Sequence, residues 1–182
     1  MLLRLGVGGI TAADGDVFEP SNLNRQLLSD ISVIGRSKAA AARGHALSVN
    51  PEVEFTAVGE YVDEKNAEGL IRGCDAVIDG LDNIASRKLL ARACGNAGLP
   101  YIYGAICGWT AQAAVLMPGD SLLDRLYPQG AELGSKSSLA FTPALCASMQ
   151  TALCVRLLCG RPVEPGRLYY FDLSDFDFET LF

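Results

Sequence analysis

Hydrophobic positions along the chain follow two alternating periods. Apolar runs of strand length fall at Ile10 to Ala13, Val53 to Val58, Ala76 to Ile78, Tyr101 to Cys107, Thr110 to Met117, Leu168 to Asp172 and Phe176 to Thr180. Between them, Ser37 to Val49, Glu64 to Arg72, Asn83 to Ala97 and Thr142 to Cys159 read as helices. The first is Ala-rich and halts at Asn50-Pro51, because a residue before proline resists the α region. Gly73 stops the second, and Gly98-Leu99-Pro100 closes the third, whose Leu89, Leu90, Ala93 and Ala97 share one face. Strands alternating with helices predict an α/β fold with a mainly parallel, twisted sheet covered on both faces, since right-handed crossovers place helices there. Ligands of such sheets bind beyond the carboxyl ends of the strands. That rule singles out Asp14, Asp79 and Asp82, each just past a predicted strand. Two segments break the rhythm: a polar loop from Gly15 to Arg36, long enough to expect a function, and Pro118 to Ser138, whose Gly, Ser and Pro content predicts a mobile crossover loop.

The length of 182 residues predicts one domain, and 49% hydrophobic with 20% charged residues excludes a disordered chain or a coiled coil. Acidic residues outnumber basic ones by 21 to 15, and the net charge of −6 opposes a nucleic-acid partner. No run approaches the roughly 18 consecutive apolar residues of a bilayer span, so the expectation is a cytoplasmic protein with no membrane partner. The six cysteines lie in apolar stretches without CxxC pairing, and His45 is the only histidine. Buried free thiols in a reducing compartment are therefore expected, and no structural zinc.

Several motifs carry competing readings. Gly6-Val7-Gly8-Gly9 resembles part of a dinucleotide-binding loop, but only five residues precede it and a strand follows at once. It reads instead as a turn from a helix end into a strand. Asp14 occupies the place of a ribose-holding acid, or is simply an Asp in a turn. Lys38 in a first helical turn opposes the macrodipole, so an anion there would relieve a misfit. Arg25 is either a solvated loop cation or a phosphate contact, and Asp82 either caps the next helix or holds a ligand. His45, Asn83, Arg87 and Trp109 read as structural, and Cys107 and Cys146 lack an activating cation.

The stretch DGDVFEPSNLNRQ, taken with GRSKAAAA and DGLDN, resembles the ThiF, MoeB and HesA family, bacterial relatives of ubiquitin-activating E1 enzymes. Asp14, Asn22-Leu23-Asn24-Arg25-Gln26, Gly35-Arg36-Ser37-Lys38 and Asp82-Asn83 match the family pattern in order and spacing, and the likeness runs from about Leu2 to Phe182. The resemblance implies a Rossmann-like, three-layer α/β domain that binds ATP and Mg²⁺. It further implies adenylation of the C-terminal glycine of a ubiquitin-like sulfur carrier, feeding thiamine, molybdopterin or related biosynthesis, by a homodimer. By the same resemblance Asp14 would bind ribose, Asn22, Arg25 and Lys38 would contact phosphates, and Asp82 would hold the metal. The catalytic set is then Arg25, Lys38 and Asp82. These types suit the chemistry, because a carboxylate attacking an α-phosphate brings two anions together and cations must offset the charge.

The chain also departs from the family pattern. The usual first strand and glycine-rich loop, and the arginine of an N-terminal arm, have no counterpart before Leu2. Three explanations are open: a domain shortened at its N-terminus, including by a misplaced start codon, a non-catalytic paralogue, or a part supplied by another chain. The paired CxxC motifs of zinc-binding members are missing, and Ala131 to Ser138 offers no thiol for covalent transfer. Adenylation without a covalent enzyme intermediate is the leading expectation. The alternative is an inactive carrier- or partner-binding subunit. A nicotinamide-dependent oxidoreductase fits the architecture but explains neither the Asn-x-x-Arg-Gln loop nor Lys38.

Overall fold

A computed structural model describes residues 1–132 and 139–182. Residues 133–138, the last part of the expected crossover loop and most of the thiol-free Ala131 to Ser138 stretch, lie outside the described residues. The described residues pack as two compact units, residues 1–66 and residues 67–182.

The first unit is a βαβ element. Leu2–Leu5 forms a 3₁₀ turn that Gly6 ends at φ 79°, a left-handed conformation that glycine adopts without steric cost. The Gly6 to Gly9 stretch thus serves as the turn read from the sequence. Strand β1 (Gly9–Ala13) pairs in parallel with β2 (Glu54–Val58), from Gly9 opposite Glu54 to Ala13 opposite Val58. Helix α1 (Lys38–Val49) makes the crossover, capped by the Ser37 hydroxyl accepting from the Ala40 amide at 3.3 Å. Its buried residues, Ala39 and Ala46, are small. The long polar loop is closed at its base: Val17 bridges Ser37, the Phe18 amide donates to the Arg36 carbonyl, and the Gly35 amide donates to the Phe18 carbonyl. Phe18 plugs that base at 3% exposure, so a loop that reads as polar hangs from one apolar anchor.

The second unit holds a five-stranded sheet in the order β3 (Val77–Ile78), β4 (Tyr101–Cys107), β5 (Thr110–Leu116), β6 (Leu168–Asp172), β7 (Asp177–Leu181). Helix α2 (Ala67–Ile71) is shorter than the Glu64 to Arg72 pattern predicts. The Asp63 and Asn66 side chains capture the amides of residues 63, 65 and 66 and hold that stretch as a turn. Only β3 and β4 are parallel, joined through α3 (Ile84–Ala97); β4 to β7 run antiparallel. The expectation of a mainly parallel sheet thus fails here. Gly108 and Trp109 alone connect β4 to β5, and a two-residue turn can join only antiparallel strands. The expected crossover segment carries a short helix, α4 (Leu122–Leu126), whose Leu122 and Leu123 are buried.

Helix α5 (Phe141–Leu158) packs on β4 and β5, where Leu153 and Cys154 meet Ile102, Ala113 and Val115. At 18 residues it is long and apolar enough to cross a membrane by length and composition; here its Thr142, Cys146, Gln150, Leu153 and Cys154 are buried. On the opposite face Tyr103 meets Tyr127 across a 2.6 Å hydroxyl contact, so helical segments flank the sheet on both sides. Cys94, Cys146 and Cys154 are buried as expected, whereas Cys107 and Cys159, at a strand end and a helix end, are exposed.

Gly104 lets α5 approach β4, because a Cβ there would overlap the Gln150 amide group. Gly104→Ala should cost about 1–3 kcal/mol, the usual penalty for overfilling a packed site. A lowered urea midpoint at unchanged m-value checks it.

Candidate functional site

In the first unit Asp14 and Lys38 stand at the two ends of the polar loop, and Asn22 and Arg25 in a turn within it. Asp14 follows β1, its amide donating to the Val58 carbonyl and its Oδ1 accepting from the Asp16 amide at 2.9 Å. That bond forms a local turn and points the chain at Asp16. Asp16 Oδ2 lies 2.9 Å from Lys38 Nζ, and the Tyr61 hydroxyl donates to Asp16 Oδ1 at 2.5 Å. The Lys38 amide also donates to the Asp16 carbonyl at 3.0 Å. Lys38 opens α1, where its charge opposes the helix macrodipole, and the chain supplies the compensating anion itself. The Tyr61 and Lys38 hydrogen bonds hold the Asp16 carboxyl below its ordinary range. Gly15 makes this clasp possible, since a Cβ there would come within 2.7–2.8 Å of the Tyr61 ring and amide.

Asn22 is buried, and its Oδ1 accepts from the Glu19 amide at 3.0 Å. Its carbonyl accepts from the amides of Arg25 and Gln26. It therefore builds the loop turn, and its side-chain oxygen is engaged within the loop. Arg25 folds back on that turn, with one guanidinium nitrogen donating to the Ser21 carbonyl and to Asn24 Oδ1, both at 2.9 Å. His45 is exposed on α1, away from these contacts. Beside α1 lies a hollow of about 460 Å³ lined by Ser37, Ala39, Ala40, Arg43, Gly44, Leu47, Ala57 and Gly59. None of the predicted site residues lines it, although Ser37 and Ala39 flank Lys38.

In the second unit Asp82 is exposed on the turn between β3 and α3, and Asn83 is the helix cap, accepting from the Ser86 amide at 2.8 Å. Below this turn lies a buried polar cluster, of which the sequence singled out only Asp79. Asp79 and Arg87 are each 3% exposed and form an ion pair, Oδ2 to Nε, at 2.7 Å. Burial pushes the Asp79 carboxyl above its ordinary range, against the opposing pull of the guanidinium. Arg87 also donates to the Tyr127 hydroxyl at 2.8 Å and to the carbonyls of Leu81 and Gly104 at 2.5 and 3.2 Å. Gln150 donates to the Asp79 carbonyl at 2.7 Å and the Ile102 carbonyl at 3.2 Å. Arg87 reads as structural in the sequence, and its burial agrees. The signal for Asp79 was present, an acid at a strand end, and the signal for Asp16 lay in the Asp-Gly-Asp spacing; Tyr61 had none.

Asp82 presents one hard carboxylate. Among the described residues no three His, Cys, Asp or Glu side chains converge as a cage. One carboxylate suits a divalent cation shared with phosphate oxygens, the habit of Mg²⁺.

The ThiF family model matches residues 1–181. The chain is 33% identical over 187 residues to the SAMP-activating enzyme E1 of Haloferax volcanii, covering 99% of this chain and 69% of that one. It is 33% identical over 180 residues to the sulfur carrier protein ThiS adenylyltransferase of Bacillus subtilis, covering 95% and 53%. The chain thus spans only about half the length of that relative. Among solved structures, E. coli MccB with ATP superposes at a TM-score of 0.83 with 17% identity, over 99% of this chain and 57% of that one, a likeness of fold.

The Asp16 clasp makes a pH prediction. A carboxyl depressed in the folded state adds stability that is full above about pH 4, the unfolded value, and is lost as pH falls through the folded value. At 49% exposure of Asp16 the gain is screened to under about 1 kcal/mol. Asp16→Asn should remove that share of the acid sensitivity, read as urea midpoints between about pH 3 and 6.

Proposed function

Because the chain belongs to the ThiF family, we propose that it adenylates the C-terminal glycine of a ubiquitin-like sulfur carrier, using ATP and Mg²⁺. The observation that carries this reading is the ordered set Asp14, Arg25, Lys38 and Asp82 within a chain whose relatives are named for carrier activation. A terminal carboxylate oxygen of the carrier attacks the α-phosphorus, the bond from that phosphorus to the bridging oxygen breaks, and pyrophosphate leaves. The carboxylate is already ionised at neutral pH, so no general base is required. Asp14 serves the ribose. Arg25 and Lys38 exchange their present partners, Ser21, Asn24 and Asp16, for phosphate oxygens as negative charge builds. Asn22 supports the turn that carries Arg25. Asp82 would hold Mg²⁺, which would supply neutralisation of phosphate charge.

The reading includes a cytoplasmic homodimer. Leu23, Leu27 and Ile31, exposed at 42%, 80% and 85%, offer apolar surface for it along the polar loop. A non-catalytic, carrier-binding role is the second reading, supported by the engagement of both Arg25 and Lys38 with acceptors of their own loop. Calorimetric titration separates them: ATP·Mg²⁺ binding supports the first, and carrier binding without nucleotide binding supports the second.

With a ThiS-type carrier, Arg25→Ala and Asp82→Ala should each lower pyrophosphate exchange into ATP by about 100-fold or more, while His45→Ala stays within about twofold. Exchange indifferent to both site substitutions overturns the enzymatic reading.

A further inference from the structure

The turn that carries Asp82 is held from below by two buried charges. Leu81 lies between them: its amide donates to Asp79 Oδ1 at 2.9 Å, and its carbonyl accepts from Arg87 at 2.5 Å. That carbonyl belongs to the peptide group leading into Asp82, so Arg87 holds this plane by its oxygen edge, while the Leu81 amide ties down the peptide plane just before it. On the far side of Asp82, the Asn83 cap fixes the entry into α3. Arg87 in turn is held by Asp79, Tyr127 and Gly104, contacts a lysine ammonium cannot reproduce together, because only guanidinium presents a planar fork of donors. Burying such a pair is poor evidence for a gain in stability, since desolvation offsets the attraction. What the arrangement does supply is a defined backbone under an exposed carboxylate.

We propose that Arg87, acting through the Leu81 carbonyl and braced by Asp79, is a positioning residue that sets Asp82 for a divalent cation bound together with nucleotide. This rests on the assignment of Asp82 as metal ligand above. Metal ligands are oriented by the groups behind them, and loosening those groups weakens metal affinity by about 10–100-fold. Here the group behind acts on the backbone, which confines its effect to the metal and leaves the contacts of metal-free nucleotide unchanged.

The test uses the full chain and Mn²⁺ as the probe, with free Mn²⁺ read by electron paramagnetic resonance in the presence of a nonhydrolysable ATP analogue. Arg87→Lys should raise the Mn²⁺ dissociation constant at least about tenfold. Metal-free binding of the analogue should change less than about twofold, a split that general loss of structure would not produce. Amides 81–83 should exchange hydrogen faster while those of α5 stay protected. Should Arg87→Lys fail to fold, the uncharged pair Asp79→Leu with Arg87→Met keeps the site filled without an orphaned charge and should show the same split. Wild-type Mn²⁺ affinity in the folded Arg87 variants, with Asp82→Asn losing the metal, overturns the positioning role alone. Unchanged Mn²⁺ binding in Asp82→Asn, or none in the wild type, overturns the metal assignment and the positioning role with it.

Discussion

One buried guanidinium organises the second unit. Arg87 contacts the end of β3 through Asp79, the following turn through Leu81, β4 through Gly104 and the segment after α4 through Tyr127. Withdrawing both charges from water costs several kcal/mol per ion, which the geometry offsets only because almost every donor finds an acceptor. Gln150 adds the second half of the constraint from α5, bonding the carbonyls of Asp79 and Ile102 and seated against Gly104. The apolar packing of Leu153 and Cys154 on Ile102, Ala113 and Val115 brings α5 to the sheet. The polar contacts then decide its register, since hydrophobic contact is non-directional and hydrogen bonds are not.

The first unit solves a different problem. A loop of some twenty residues is costly to order, and this one is ordered by pairing its two ends rather than by burying its tip. Residues 17–18 pair with residues 35–37, Phe18 fills the base, and Asn22 closes an inner turn. Arg25 and Lys38 are held in place by the protein's own acceptors. Exchange of such exposed partners is inexpensive, because ion pairs open to water contribute little. Lys38 illustrates the arrangement: its helix position disfavours a cation, and Asp16 removes that conflict.

Most elements were legible in the chain because their signals are local. The Asn50-Pro51 stop, the Asn83 cap and the Gly98 end of α3, with Gly98 at φ 74°, each act through backbone sterics or a bond within three residues. The relation of the strands was less legible. Strand periodicity says which face is buried but not which neighbour lies alongside, and the short Gly108-Trp109 link that reverses β5 decided the pairing. Helix α2 contracted because Asp63 and Asn66 competed for the same amides.

The same distinction separates the chemistry. Residue types, order and spacing single out Asp14, Arg25, Lys38 and Asp82 as candidates for a nucleotide and a metal, because a motif records chemistry directly. Arg25 touches its own turn, at Ser21 and Asn24, but other surroundings came from segments far away in sequence: Tyr61 at Asp16, and Tyr127, Gly104 and Gln150 around the Asp79 and Arg87 pair. Such contacts depend on burial and on long-range closure of the chain, which no local pattern encodes, so only the tertiary structure could show that Arg87 stands under the turn bearing Asp82.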